Sequence, residues 1–153
     1  MSQHPPAISL VTLGVQNLEV ARDFYCAIGF IDTAQSNKDI KFMRGANIVL
    51  GLYGRAELAE DAQTTDDAAN ISKFSGVAFA LNRASEADVD ALFAKAVAAG
   101  AKAQKKPKKA FWGGYSGYFA DPDGHLWEVA HNPYFAMDEN GVVDLEAKPP
   151  SGG

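Results

Sequence analysis

The sequence has few of the features that mark secreted or membrane proteins. Cys26 is its only cysteine, so no disulfide can form within the chain, as is usual in a reducing cytoplasm. The longest apolar runs are far shorter than a membrane-spanning helix needs, and residues 1–8 lack the basic and apolar regions of a signal peptide. We therefore expect a cytoplasmic protein without a membrane partner.

The chain also has a net negative charge, and it has neither the serine-hydrolase motif nor the phosphate-binding loop motif. The net charge of −5 argues against a nucleic-acid partner. The chain has no G-x-S-x-G elbow of the serine hydrolases and no phosphate-binding G-x-x-x-x-G-K-[ST] loop. Residues 105–109, KKPKK, form a local basic cluster. We interpret it either as a solvated loop between strands or as a patch from which Lys108 or Lys109 attracts an anionic ligand.

The most informative segment predicts a β-hairpin over residues 111–133, FWGGYSGYFADPDGHLWEVAHNP. Its DPDG run favours a turn, because proline presets φ, aspartate side chains accept backbone hydrogen bonds and glycine tolerates the closing conformation. If these four residues form the loop, Glu128 faces Gly117 across the strands. Alternation then places Glu128 on one sheet face with Tyr115 and Phe119, and Trp127 on the opposite face.

A single carboxylate on an aromatic face indicates a ligand cup. Burying Glu128 is costly unless it is paired, accepts hydrogen bonds or shifts its pKa. We interpret it either as a structural residue held by Tyr115, backbone amides or an arginine, or as a ligand anchor or general base. Trp112 and Phe111 precede a Gly-Gly pair that would let the indole lie over a planar ligand, although Trp112 also suits a core or dimer contact.

The order of the predicted elements repeats along the chain. Asn17 and Ser85 are predicted helix N-caps, and Gly29 and Gly100 end the two helices. Strands are predicted at residues 9–15, 30–35, 40–44 and 47–53 in the first half and at residues 75–81, 101–105, 114–120 and 125–130 in the second. Two βαβββ modules of this size should pair to share a core.

These elements define the predicted domain organisation. The whole chain, residues 1–153, is expected to be a single domain long enough for a sizeable core. Within it we assign an N-terminal module at residues 8–54, a linker at 55–73, a C-terminal module at 74–133 and a tail at 137–153.

Two segments, VQNLEVARDFYCAIGF at residues 15–30 and YFADPDGHLWEV at residues 118–129, resemble the vicinal oxygen chelate superfamily. This superfamily includes glyoxalase I, the bleomycin-resistance proteins and the extradiol dioxygenases, and the similarity covers roughly residues 8–133. The resemblance implies an α+β fold in which paired βαβββ modules form an open eight-stranded cup, and it implies a homodimer.

The resemblance also implies where metal ligands would lie. The four superfamily positions fall at Leu10, Gly51, Gly76 and Glu128. Only Glu128 carries a metal-binding side chain, and zinc sites use three or four protein ligands. We therefore expect a subgroup that lacks most of the ligands and has no metal cofactor.

Three functions remain open at this level. The favoured one is a metal-independent, resistance-type protein that sequesters a planar or cationic small molecule. The alternative is a glyoxalase-like lyase or isomerase with Glu128 as general base and Tyr115 as proton donor, and the third is an interaction module whose cup forms a dimer core. The predicted ligand-binding residues are Phe111, Trp112, Tyr115, Phe119 and Glu128.

Overall fold

Both halves of the chain follow the predicted βαβββ order. The computed structural model describes residues 4–67 and 73–147, and it divides into two units, Met1–Asp66 and Asp67–Gly153. Each unit contains one four-stranded sheet with the same strand order, in which the first strand lies beside the fourth. The predicted α+β class and the repeated βαβββ module are confirmed.

The first unit is built around a sheet of order β1-β4-β3-β2, in which β1 is parallel to β4. Its elements are β1 (Val11–Val15), α1 (Leu18–Ala27), β2 (Ile31–Asp32), β3 (Ile40–Arg44), β4 (Val49–Gly54) and α2 (Arg55–Asp61). Alternation points Leu13, Met43 and Leu52 to one face of the sheet, where they are buried. Helix α1 contributes Phe24 and Tyr25 to this core.

The second unit repeats the arrangement with a sheet of order β5-β8-β7-β6. Its elements are β5 (Ala78–Asn82), α3 (Glu86–Ala98), β6 (Lys102–Lys109), β7 (Tyr115–Ala120) and β8 (Leu126–His131), followed by β9 (Ala136–Met137) and β10 (Val143–Asp144). Helix α3 contacts β6, β7 and β8. Val89 of the helix and Phe119 and Val129 of the sheet are fully buried in this core.

Both main helices begin and end where the sequence predicts. The Asn17 side chain accepts hydrogen bonds from the backbone N–H groups of Glu19 and Val20, and the Ser85 hydroxyl accepts one from Asp88 at 3.1 Å. Gly29 and Gly100 have φ of +113° and +115°, the left-handed conformation that ends many helices.

The remaining segments differ in detail from the predictions. Strand β6 extends to Lys109, so the KKPKK cluster belongs to a strand and its interpretation as a loop is wrong. The predicted tail begins within a two-stranded antiparallel ribbon of β9 and β10, and residues 148–153 lie outside the described residues. No helix in the described ranges is long and apolar enough to cross a membrane.

Candidate functional site

A cleft of about 350 Å³ lies on the second unit's sheet, on the face opposite α3. Ser116 and Tyr118 of β7 and Glu128 of β8 form its floor, since alternation directs all three to this face. The end of β6 and the turn after it complete the lining. The cleft residues are Lys105, Lys108, Lys109, Ala110, Phe111, Trp112, Ser116, Tyr118 and Glu128.

The hairpin register differs by one residue from the prediction. Tyr118 faces Glu128, and Gly117 faces Val129. The loop contains five residues because Asp121 donates its backbone N–H to the carbonyl of His125 at 2.9 Å and its carboxylate accepts the His125 N–H at 2.8 Å. One extra loop residue shifts the pairing of the two strands by one position, so each side chain of one strand shares a face with different side chains of the other strand.

The new register separates two predicted site residues from Glu128. Tyr115 lies on the α3 side, where its hydroxyl donates a hydrogen bond to Asp90 at 2.7 Å. Phe119 is fully buried and stacks on Trp127 with ring centroids 6.4 Å apart. The structure therefore brings Phe111, Trp112 and Glu128 together in the cleft and places Tyr115 and Phe119 on the opposite face.

Tyr118 is the neighbour of Glu128 that sequence reasoning missed. Burial raises the pKa of the Tyr118 hydroxyl, and the negative charge of Glu128 and a hydrogen bond to it raise that pKa further. Tyr118 therefore stays a neutral hydrogen-bond donor beside a carboxylate at physiological pH. The sequence feature that could have predicted this neighbour is the length of the hairpin loop, because a five-residue loop places Tyr118 on the same face as Glu128.

The lip of the cleft is the tight turn between β6 and β7. Ala110 donates its N–H to the Gly114 carbonyl at 2.8 Å, and Gly113 adopts φ of +96°. The Trp112 indole folds over Gly114, since a Cβ at that position would overlap the ring. Trp112 is 37% exposed and Phe111 is fully exposed, so both rings are accessible at the rim.

Two of the three lysines in the lining, Lys105 and Lys108, give the cleft a positive wall, because the ammonium of Lys109 is directed towards α3. Lys109 forms a 2.9 Å ion pair with Glu86 of α3. Lys105 and Lys108 make no ion pair within residues 4–67 and 73–147. Sequence reasoning considered Lys108 and Lys109 as anion-attracting residues and did not include Lys105.

The side chains at the superfamily's metal positions do not fit a divalent ion. Leu10 and Gly51 are neighbours, because a Cβ on Gly51 would lie 3.5 Å from Leu10 Cδ1, and neither offers a side-chain donor. Gly76 offers none either, and Glu128 is one carboxylate where a stable site needs several ligands. Within the described residues, no group of three or more His, Cys, Asp or Glu side chains is arranged to hold a metal.

Comparison with known proteins establishes the family. The model of the Glyoxalase/Bleomycin resistance protein/Dioxygenase superfamily matches residues 7–129. A glyoxalase-related enzyme from Fulvimarina pelagi is 32% identical, with a TM-score of 0.81 over 92% of this chain and 98% of that one. The chain therefore belongs to the glyoxalase/bleomycin resistance/dioxygenase superfamily, as the sequence resemblance predicted.

More distant structures share the fold. A superfamily protein from Burkholderia phytofirmans PsJN is 21% identical, with a TM-score of 0.70 over 82% of this chain and 98% of that one. Lactoylglutathione lyase from Agrobacterium tumefaciens is 22% identical, with a TM-score of 0.61 over 85% and 96% of the two chains. A search of curated proteins gave no match.

Proposed function

We propose that the protein binds a small organic molecule in the cleft of its second unit, without a metal at the superfamily's four ligand positions. The observation that carries this proposal is the grouping of Phe111, Trp112 and Tyr118 around Glu128 in one cleft of about 350 Å³. Small-molecule sites of roughly 300–1,000 Å³ commonly combine aromatic walls with a few polar groups that orient the ligand.

The chemistry of the lining favours a planar ligand with a hydrogen-bond donor. The accessible indole of Trp112 offers a flat apolar surface, and planar groups stack on such rings. Glu128 accepts hydrogen bonds, so it suits a hydroxyl or amino group of the ligand. Tyr118 orients the carboxylate by donating its neutral hydroxyl to Glu128.

The test is a saturation-transfer NMR screen of planar aromatic compounds against the wild-type protein, followed by calorimetry of the compounds that bind. Trp112→Ala should weaken binding by roughly 1–3 kcal/mol, by analogy with base stacking on aromatic side chains. Glu128→Gln should remove binding of compounds that need the anchor, because a neutral amide is a weaker acceptor than a carboxylate.

Two variants outside the cleft serve as controls. Phe135 is 38% exposed, close to the 37% of Trp112, so Phe135→Ala removes a similarly exposed ring from another place. Glu139→Gln neutralises an exposed carboxylate of the tail. Unchanged affinity in both cleft variants, or equal losses in the controls, would contradict the proposal.

A second candidate is a metal-independent isomerase or lyase of glyoxalase type. The pairing of Tyr118 with Glu128 favours it, because a carboxylate can serve as a general base and a neutral phenol as a general acid. Glu128 would take a proton from the carbon next to a carbonyl, and the Tyr118 hydroxyl would leave its hydrogen bond with Glu128 to donate to the carbonyl oxygen. Tyr118 thus takes the role first predicted for Tyr115.

Proton exchange tests this candidate directly. Hydroxyacetone in D₂O should exchange the hydrogens next to its carbonyl faster with the wild-type protein than with Glu128→Gln. Tyr118→Phe should also slow the exchange, whereas Tyr115→Phe should not. Exchange no faster than in buffer rules out this acid–base chemistry for the probe and leaves the binding proposal in place.

A further inference from the structure

Two lysines share the cleft face only because β6 is irregular. Lys105 and Lys108 are three positions apart, so a regular strand would point them to opposite faces. The register shifts between them, since Lys105 pairs with Tyr118 and Lys108 pairs with Ser116. Three steps on β6 therefore match two on β7, as in a β-bulge. The bulge turns both side chains into the cleft.

Gly117 makes this bulge possible. A Cβ at Gly117 would lie 2.7 Å from both the Lys105 carbonyl oxygen and the Pro107 nitrogen, so the bulged backbone occupies the space that a side chain would need. Pro107 lacks an N–H and is tolerated because β6 is an edge strand. Bulges are common beside functional sites, where they change the direction of a side chain.

The cleft consequently carries opposite charges at its two sides. Lys105, Tyr118 and Glu128 form one row across β6, β7 and β8. The ammonium and carboxylate side chains start from strands about 10 Å apart, which is two strand spacings. Lys108 adds a second cation on the β6 side, where it faces Ser116.

We infer that Lys105 and Lys108 form an anion-recognition pair and that the ligand is a planar aromatic acid. This inference rests on the proposed function. Its carboxylate lies against the two lysines. A hydroxyl or amino group at the opposite end of the ring system donates to Glu128, and the ring stacks on Trp112. Because the cleft holds these two lysines and one glutamate, a ligand with a net negative charge is favoured over the cationic one of the planar or cationic ligands expected from the sequence, in agreement with the anion-attracting interpretation of the lysine cluster.

Three matched probes test this inference by calorimetry at low salt. They are 6-hydroxy-2-naphthoate, which has both groups, 2-naphthoate, which lacks the hydroxyl, and 2-naphthol, which lacks the acid. We expect 6-hydroxy-2-naphthoate to bind most tightly and its affinity to fall as sodium chloride is added, because exposed charges are screened.

Charge-neutralising variants locate the acid group. Lys105→Gln and Lys108→Gln should each weaken 6-hydroxy-2-naphthoate by about twofold to fivefold, and the double variant by about tenfold, as expected for partly exposed charge pairs. Neither variant should change 2-naphthol binding. Lys106→Gln is the matched control, since Lys106 lies on the same strand, is exposed and does not line the cleft.

The outcomes distinguish a failure of the anion-recognition pair from a failure of aromatic-ligand binding in the cleft. Equal affinities of 6-hydroxy-2-naphthoate and 2-naphthol, or an equal effect of Lys106→Gln, would overturn the anion pair while keeping an aromatic-binding cleft. The absence of binding by all three probes would overturn the aromatic-acid inference and count against the aromatic-binding proposal as well.

Discussion

Gly117→Ala is the substitution whose effect follows most directly from the structure. The added methyl group would meet three backbone atoms of the β6 bulge, the Lys105 oxygen at 2.7 Å, the Pro107 nitrogen at 2.7 Å and the Pro107 Cα at 3.0 Å. Backbone atoms cannot rotate away as a side chain would, so β6 must shift.

The magnitude follows from two opposing effects. Overpacking of this kind costs about 1–3 kcal/mol, whereas replacing glycine by alanine within a strand recovers about 0.5–1 kcal/mol. The net loss of stability is therefore about 0–2.5 kcal/mol, which lowers the melting temperature of a chain this long by up to roughly 10 °C. Circular dichroism during heating and urea unfolding measures both quantities.

The same substitution should weaken 6-hydroxy-2-naphthoate, because Lys105 and Lys108 depend on the bulge for their direction. Gly51→Ala is the matched control in the other unit, since its methyl group would meet the Thr12 side chain at 3.1 Å and should cost less. A Gly117→Ala protein with wild-type stability and wild-type affinity would refute the role assigned to the bulge.

Three further predictions concern the cleft. Gly114→Ala should displace the Trp112 indole, which folds over that glycine; a changed fluorescence emission and weaker aromatic binding are expected, and an unchanged spectrum would contradict the contact. Because burial and Glu128 raise the pKa of Tyr118, the stability that its neutral hydroxyl contributes is complete below about pH 10 and is lost as the pH rises through the raised value. Absorbance titration should show Tyr118 ionising at lower pH in Glu128→Gln. An unchanged titration would contradict the electrostatic coupling between Tyr118 and Glu128. Elemental mass spectrometry after exposure to manganese, iron, nickel and zinc should find well below one ion per chain, since Glu128 alone is a poor site; one tightly held ion would contradict metal independence.

Local signals were sufficient to predict the repeated fold. Asn17 and Ser85 satisfy free N–H groups at the helix starts, and Gly29 and Gly100 adopt the positive φ that ends each helix. These effects act within a few residues, so they are readable from the chain. They are also repeated in both halves, which predicts the βαβββ module twice.

The site was harder to predict because it depends on register. Counting DPDG as the whole loop left out His125, whose backbone closes the turn with Asp121. That single residue moved Glu128 from the face of Tyr115 to the face of Tyr118. The turn chemistry of the DPDG run located the hairpin correctly, but it did not decide which rings share a face with the carboxylate.

The bulge in β6 had one visible sign, a proline within the lysine cluster. A proline among lysines favours a loop in the sequence, although edge strands also accept proline at bulges. The contact of Gly117 with β6 joins residues ten positions apart, Pro107 and Gly117. Such a contact between strands cannot be read from local patterns, so Lys105 was missed as a cleft residue.

Binding of a small aromatic molecule on the sheet of the second unit, beside Glu128, can be followed by NMR. Isotopically labelled protein is titrated with 6-hydroxy-2-naphthoate and the backbone amide shifts are recorded. We expect saturable shifts centred on Lys105, Ser116, Tyr118 and Glu128, and smaller shifts in Glu128→Gln. Shifts centred elsewhere, or none at all, would contradict binding at this site.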